Sequence, residues 1–213
     1  MQNLIIFGAG GMARETVAII DSLNYPEKIY DLMGFAVDDE YYEVGRHIMG
    51  YPVYSRKWLL DHKDNLVCVC GIGYPKDRRR VMLDLEKNGV KFVTVISPYA
   101  YVADKSAVGE GCIIGAYCFV SPDVSIGKGV FLNGPMVAIG HDSTVGSFVT
   151  CFPKAQISGK CSIGEAALIG SMAYVHEKKT VGEEAVVAPG AVVLRNVKAG
   201  AYAIGNPARN ENL

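Results

Sequence analysis

Residues 155–193 read AQISGK CSIGEA ALIGSM AYVHEK KTVGEE AVVAPG AVV when broken every six residues. The third residue of every block is Ile or Val, and the first is Ala or Cys in six of the seven. Followed toward the N-terminus, the same beat passes through Cys151, Val145 and Ile139. It slips by one residue and continues through Leu132, Ile126, Val120, Ile114, Val108 and Val102. Of these 16 positions, 15 are Val, Ile or Leu, and eight are followed directly by Gly. A fixed short period of this sort is the mark of a solenoid, whose repeats bury their apolar faces only by stacking. Each hexapeptide is read as one short strand and one corner, three of them make a triangular coil, and 16 steps make about five coils. The aliphatic side chain points inward, in register with its equivalent one coil away at the ~4.8 Å spacing of paired strands. The small residue two places earlier suits the tight corner. The Gly that follows the aliphatic is read as supplying backbone angles closed to other residues.

Residues 1–97 are different in kind. Eight of the twelve leucines fall before residue 100, which suits a mixed α/β region. Leu4–Phe7 is a buried-strand candidate, followed by Gly8-Ala9-Gly10-Gly11 and a helical pattern over Met12–Ser22. Met33–Val37 and Leu66–Cys70 read as further strands, leading into Asp38-Asp39 and Gly71-Ile72-Gly73. Asp77–Asn88 reads as a helix and Phe92–Ile96 as a last strand of the same sheet. This alternation predicts a small Rossmann-like parallel sheet with the three loops at its carboxyl edge, where open α/β sheets bind ligands. Strand, glycine turn and helix together form the context of a phosphate cradle. A dinucleotide site needs two βαβ halves, so a single nucleotide or nucleotide sugar suits a domain this small. The join to the solenoid is placed at Ser97-Pro98, giving domains over 1–97 and 98–213.

Twenty-one Lys and Arg against 22 Asp and Glu leave a net charge of −1, which excludes a strongly basic nucleic-acid binder. No apolar run approaches the ~18 residues of a membrane span, and the N-terminus has no signal-peptide pattern. A cytoplasmic location follows as the expectation. The six cysteines, at 68, 70, 112, 118, 151 and 161, have no metal-ligand spacing. They are read as free thiols filling apolar positions, and no metal is expected.

Of four histidines, His62 lies in the solvated run Asp61-His62-Lys63-Asp64, and His47 lies in a polar, tyrosine-rich loop. His176 takes a glycine position of the repeat and should point outward. His141 stands next to the one break in the repeat and is followed by a carboxylate, Asp142.

The opening Ile5-Ile6-Phe7-Gly8-Ala9-Gly10-Gly11, the hexapeptide solenoid, Ile139-Gly140-His141-Asp142 and the closing Gly205-Asn206-Pro207-Ala208-Arg209 together resemble one family over nearly the whole chain. It is the hexapeptide-repeat bacterial sugar acyltransferases, the group of sialic acid O-acetyltransferases and nucleotide-linked 4-amino-sugar N-acetyltransferases. The resemblance implies a left-handed β-helix and a homotrimer. It implies acetyl transfer from acetyl-CoA to an amine or hydroxyl of a free or nucleotide-linked sugar, by direct attack and without a covalent enzyme intermediate. His141 would be the general base, with Asp142 in place of the family's usual Glu. Gly159 would contact the acetyl-CoA end, and Gly170, Ser171, Pro189 and Gly190 would line the CoA channel. Gly8, Ala9, Gly10, Gly11, Asp38, Gly71, Ile72 and Gly73 would hold the sugar nucleotide. Asn133 matches the family's Asn before the catalytic His, at a spacing lengthened by the slip. Two other readings compete: a non-sugar acceptor such as an amino acid, which the glycine turn argues against, and a non-catalytic trimeric scaffold, which the His141-Asp142 pair argues against.

Overall fold

A computed structural model of the chain describes residues 1–211. It opens with a sheet whose strands are β1 (Gln2–Phe7), β2 (Tyr30–Val37), β3 (His47–Ile48), β4 (Tyr51–Ser55) and β5 (Val67–Cys70), in the order β3-β4-β2-β1-β5. The pairs β1–β2, β1–β5 and β2–β4 are parallel, and only β3 runs against its neighbour. Leu4, Ile5, Ile6 and Phe7 are buried on both faces, as a central parallel strand requires. Helix α1 (Gly11–Leu23) covers one face through Ala13, Val17 and Ile20. Helices α2 (Arg56–His62) and α3 (Pro75–Lys87) cover the other through Leu59, Val81, Met82 and Leu85.

Two elements escape the sequence pattern. Strand β4 contains Pro52 and buries only Val53, so it shows no alternation. Helix α2 is seven residues long, and its N-terminal signal is the single Ser55, whose hydroxyl accepts the Trp58 N–H.

The last expected strand is corrected. Phe92 makes only an isolated bridge to Cys68, whereas Val95–Ile96 pairs with Ile113–Ile114 of the solenoid. The solenoid's first rung thus precedes Ser97-Pro98, and that dipeptide lies inside the first coil. Tertiary pairing decides here, because a two-residue apolar strand fits either sheet equally well.

From Val95 the chain winds through two-residue strands stacked into three parallel sheets. Five full coils form, and in a sixth the third side shrinks to a bridge between Val181 and Val197. Partners lie 18 residues apart, as in Gln156 with Tyr174, and 19 apart across the slip, as in Phe119 with Ala138. The aliphatic column and the small residues before it form one buried core.

The three outer faces differ by the residue preceding each aliphatic. Val95, Ile113, Phe131, Thr150, Leu168, Val186 and Tyr202 form a face whose upper four members are fully buried beneath the small domain. A second face presents Tyr101, Phe119, Ala138, Gln156, Tyr174 and Val192, with Tyr101 and Phe119 stacked at 5.0 Å. The third presents Ala107, Ser125, Thr144, Ser162 and Thr180.

The role given to the repeat glycines is also corrected. Positive φ falls three residues before the aliphatic, and mostly on other residues: Tyr117, Asp123, Met136, Asp142, Phe148, Lys154, Lys160, Ala166, Met172, Lys178 and Glu184. The glycine after the aliphatic is needed for close approach instead. A Cβ on Gly140 would sit 2.4 Å from the Gly159 nitrogen, and one on Gly164 2.4 Å from the Glu183 nitrogen.

The two parts are locked by Arg78, a side chain fully buried on the apolar stripe of α3. Its guanidinium donates to the carbonyls of Ile72 and Gly73 on one side, and to those of Gly129, Phe148 and Val149 and the Thr150 hydroxyl on the other. Burial lowers its pKa to about 10. On the surface Arg79 joins Glu165, Glu183 and Glu184, and Lys128 joins Glu86. No helix among the described residues is long and apolar enough to cross a membrane.

Candidate active site

Three places in the molecule gather the singled-out residues. The first is a corner of the solenoid. His141 follows Gly140 at the end of one strand, and Asp142 is the next residue, at φ +57°. That turn brings the Asp142 carboxylate back onto the ring, where it accepts from His141 Nδ1 at 2.7 Å. The hydrogen bond leaves Nε2 as the free, basic nitrogen. His141 and Asp142 are both exposed, so the ring is held by this bond and by what lies beneath it. Beneath it is Gly159, 18 residues on and therefore one coil away. A Cβ there would lie 2.7 Å from His141 Nε2. Gly159 thus leaves the space on which the imidazole rests.

The second place is a cleft of about 490 Å³ at the carboxyl edge of the small sheet, lined by Gly8, Ala9, Gly10, Asp38 and Ile72. Gly8 has φ +109°, which favours glycine, and Gly10 is the N-cap of α1. Tyr41, Arg46 and Arg80 also line this cleft, none of them singled out by the sequence. Asp38 receives Arg56 at 2.6 Å. Three members of the expected set lie off the lining. Gly71 packs on α1, where a Cβ would meet the Ala13 Cα at 2.6 Å. Gly73 packs against Met12, with 2.8 Å to its Cγ. Gly11 begins α1, with open space at its Cβ position.

The third place is a cleft of about 730 Å³ between the start of α3 and the uncovered lower half of the solenoid's docking face. Gly170, Ser171 and Pro189 line it, with Gly190 at φ +69° forming the corner just beyond. Its floor is Phe152, Leu168, Val186 and Tyr202, and its upper wall is Tyr74–Asp77. Glu184 lies on its rim, where Lys76 and Arg79 hold its carboxyl below the usual range. The apolar floor suits a long flexible ligand. Phe152 and Tyr74 went unnoticed in the sequence, although Phe152 replaces a repeat glycine and so stands out from the wall.

Asn133 belongs to none of these. It is half-buried between the solenoid and α1, and its amide faces the Met12 sulfur at 3.3 Å. His47 is exposed beside the Gly45 carbonyl, and His62 stacks on Trp58. His176 points outward and meets the Tyr174 hydroxyl at 3.3 Å. All six thiols are free and buried, and burial raises those of Cys70, Cys112 and Cys118 to about 11. No group of three or more His, Cys, Asp or Glu among the described residues could hold a metal ion.

His141 lines neither cleft of its own chain. The corner that carries His141 and the walls of the two clefts are separate within one subunit.

The described geometry has close relatives. A family model described as the PglD N-terminal domain matches residues 3–85. A GDP-perosamine N-acetyltransferase from Escherichia coli O157:H7 is 32% identical over 212 residues, which is 96% of this chain and 94% of that protein. The acetyltransferase domain of PglB from Neisseria gonorrhoeae FA1090, solved in complex with acetyl coenzyme A, matches with a TM-score of 0.88 and 25% identity. That match covers 99% of each chain. WeeI from Acinetobacter baumannii AYE matches with a TM-score of 0.79 and 27% identity, over 99% of this chain and 100% of that one. Repeat, small N-terminal sheet and sequence thus agree from end to end, and the chain belongs to the hexapeptide-repeat, left-handed β-helix family of bacterial sugar acyltransferases.

Proposed function

We propose that the protein transfers the acetyl group of acetyl-CoA to the amine of a nucleotide-linked amino sugar. The observation that carries this reading is the His141-Asp142 pair standing over Gly159. It holds a basic nitrogen, oriented by a carboxylate, against a backbone whose missing Cβ gives the ring its seat. The E. coli relative, matched over nearly its whole length, acts as a GDP-perosamine N-acetyltransferase, which supports an amine on a nucleotide-linked sugar. The PglB domain in complex with acetyl coenzyme A supports the donor.

In this reading the sugar nucleotide enters the cleft at Gly8–Gly10 and Asp38, with the turn's N–H groups toward its phosphates. Acetyl-CoA lies along Gly170, Ser171, Pro189 and Gly190. His141 Nε2 takes the proton from the acceptor nitrogen as that nitrogen attacks the thioester carbonyl, and Asp142 stabilises the imidazolium that forms. The tetrahedral oxyanion is met by a backbone N–H at Gly159. Its collapse expels the CoA thiolate, which is protonated on leaving. The buried cysteines play no part. Because His141 lies outside both clefts of its own chain, the reading requires a second copy to supply it. In this reading the copies form a cyclic trimer, and the exposed, stacked Tyr101 and Phe119 offer it an apolar contact.

The test is CoA release, followed with a thiol reagent, over a panel of GDP- and UDP-linked amino sugars, the corresponding hydroxyl sugars and free amino acids. Sedimentation mass is measured beside it. Turnover confined to nucleotide-linked amines, in a species near three times 22.9 kDa, is the expected result. Turnover of free amino acids alone, or full activity in a monomer, would overturn the reading.

A further inference from the structure

The nucleotide cleft and the donor cleft share a lining residue. Asp77, in the first turn of α3, is the one residue among those described that lines both. Its neighbours are committed elsewhere. Lys76 holds Glu184 at 2.8 Å, Arg79 holds Glu165, Glu183 and Glu184, and Arg78 is spent on buried carbonyls. The other acid of the nucleotide cleft, Asp38, is engaged by Arg56. Asp77 has no cationic side chain within 4 Å among the described residues, and it is exposed. The nucleotide cleft also carries the reverse sign, and Arg80 lies one helical turn beyond Asp77 on α3. Arg46 and Arg80 line this cleft, and neither has a carboxylate within 4 Å among the described residues.

A nucleoside diphosphate joined to an amino sugar has the matching layout, with anionic phosphates at one end and a cationic ammonium at the other. Guanidinium groups suit phosphate oxygens, and a carboxylate suits an ammonium, which can donate three hydrogen bonds. In this arrangement the diphosphate lies toward the glycine turn and the guanidinium groups, and the sugar lies beside Asp77, which also lines the donor cleft.

We propose that Asp77 is the substrate-binding residue that selects an amine over a hydroxyl, receiving the acceptor's ammonium with the one side chain that lines both clefts. The proposal rests on the acetyltransferase reading above. Asp77 keeps its own charge and removes no proton. Its task is to hold the ammonium until it gives one proton to solvent; the neutral amine then attacks, and His141 of the partner subunit takes the second proton. A hydroxyl sugar gains less from this carboxylate, because it donates one hydrogen bond and carries no positive charge.

The experiment compares wild type, Asp77→Asn and Asp77→Glu. Titration calorimetry gives the dissociation constants of GDP-perosamine and of the otherwise identical GDP-sugar with a hydroxyl in place of the amine. Steady-state assays give the KM of each substrate, and the same set is run with UDP-linked counterparts. In wild type the amine should bind more tightly than the hydroxyl compound by about tenfold, the usual worth of a hydrogen bond to a charged group. In Asp77→Asn that ratio should fall toward one, the acceptor KM should rise by about the same factor, and acetyl-CoA binding should stay within about twofold. Asp77→Glu should restore most of the preference. An unchanged amine-to-hydroxyl ratio in Asp77→Asn overturns the proposal, even if stability falls through loss of an acid from the first turn of α3. No turnover of any amine by wild type overturns the acetyltransferase reading itself and this inference with it.

Discussion

Gly159→Ala separates the catalytic use of the solenoid from its architecture. The added Cβ would lie 2.7 Å from His141 Nε2, 2.9 Å from Cε1 and 3.1 Å from Cδ2, against an ordinary contact of at least 3.4 Å. The imidazole must therefore retreat by about 0.7 Å. It can do so at little cost to folding, because it is exposed and its only fixed bond is to Asp142. Catalysis is less forgiving, since a misplacement of about 1 Å can cost ~10²-fold. We expect a fall in kcat of about 10- to 100-fold, with a melting temperature within about 2 °C of wild type. Gly140→Ala is the control. Its Cβ would meet backbone at 2.4 Å, the Gly159 nitrogen, and at 2.5 Å, the Ser158 carbonyl carbon, and backbone cannot swing aside. Overpacking of this kind costs about 1–3 kcal/mol, and for a chain of this length that lowers the melting temperature by roughly 2–12 °C. The assay is CoA release at saturating acceptor beside differential scanning fluorimetry. In a His141→Ala background, Gly159→Ala should cause no further loss. Full turnover by Gly159→Ala, or an equal second loss without the histidine, would show that the ring does not act from this position.

His141→Ala alone should lower kcat by ~10²–10⁴ while acetyl-CoA affinity holds, with Asp142→Asn less severe because it leaves the base in place; steady-state kinetics on both variants checks this. Arg78→Met should destabilise the protein more than any surface arginine substitution, since it strands several buried carbonyls at about 1–3 kcal/mol each, and thermal unfolding of Arg78→Met against Arg14→Met measures the difference. The buried thiols should resist alkylation in the native state. Their raised pKa values make the folded protein prefer the protonated form, so stability is intact below the unfolded value near 9 and declines as pH rises toward about 11. Melting temperatures from pH 8 to 11, with Cys112→Ala flattening the decline, test that slope.

The solenoid was legible because its contacts follow from its period. Once an 18-residue coil is recognised, the stacking of His141 over Gly159, and the nineteen-residue step from Phe119 to Ala138 across the slip, follow by counting. Even so, the pattern alone misplaced the strained backbone. The glycines that follow each aliphatic are there for close approach, while Tyr117, Phe148 and Met172 take the left-handed angles because stacked coils hold them in place. The glycine turn and the carboxyl-edge loops were legible too, since a strand and the helix after it are local.

What the sequence could not decide is everything that joins distant segments without a period. Gly71 and Gly73 look like members of a ligand loop, yet they serve the packing of α1, and only the crossing of helix and strand reveals it. Val95–Ile96 could pair with either sheet, and the neighbouring rung settled the choice. Arg78 could be noticed as a charge on an apolar helix face, but its six acceptors come from three separate stretches of chain. The place of Asp77 in the lining of both clefts is of the same kind. It exists because α3 docks across the solenoid's exposed apolar residues, and such docking depends on shape and buried area, which no local pattern of residues records.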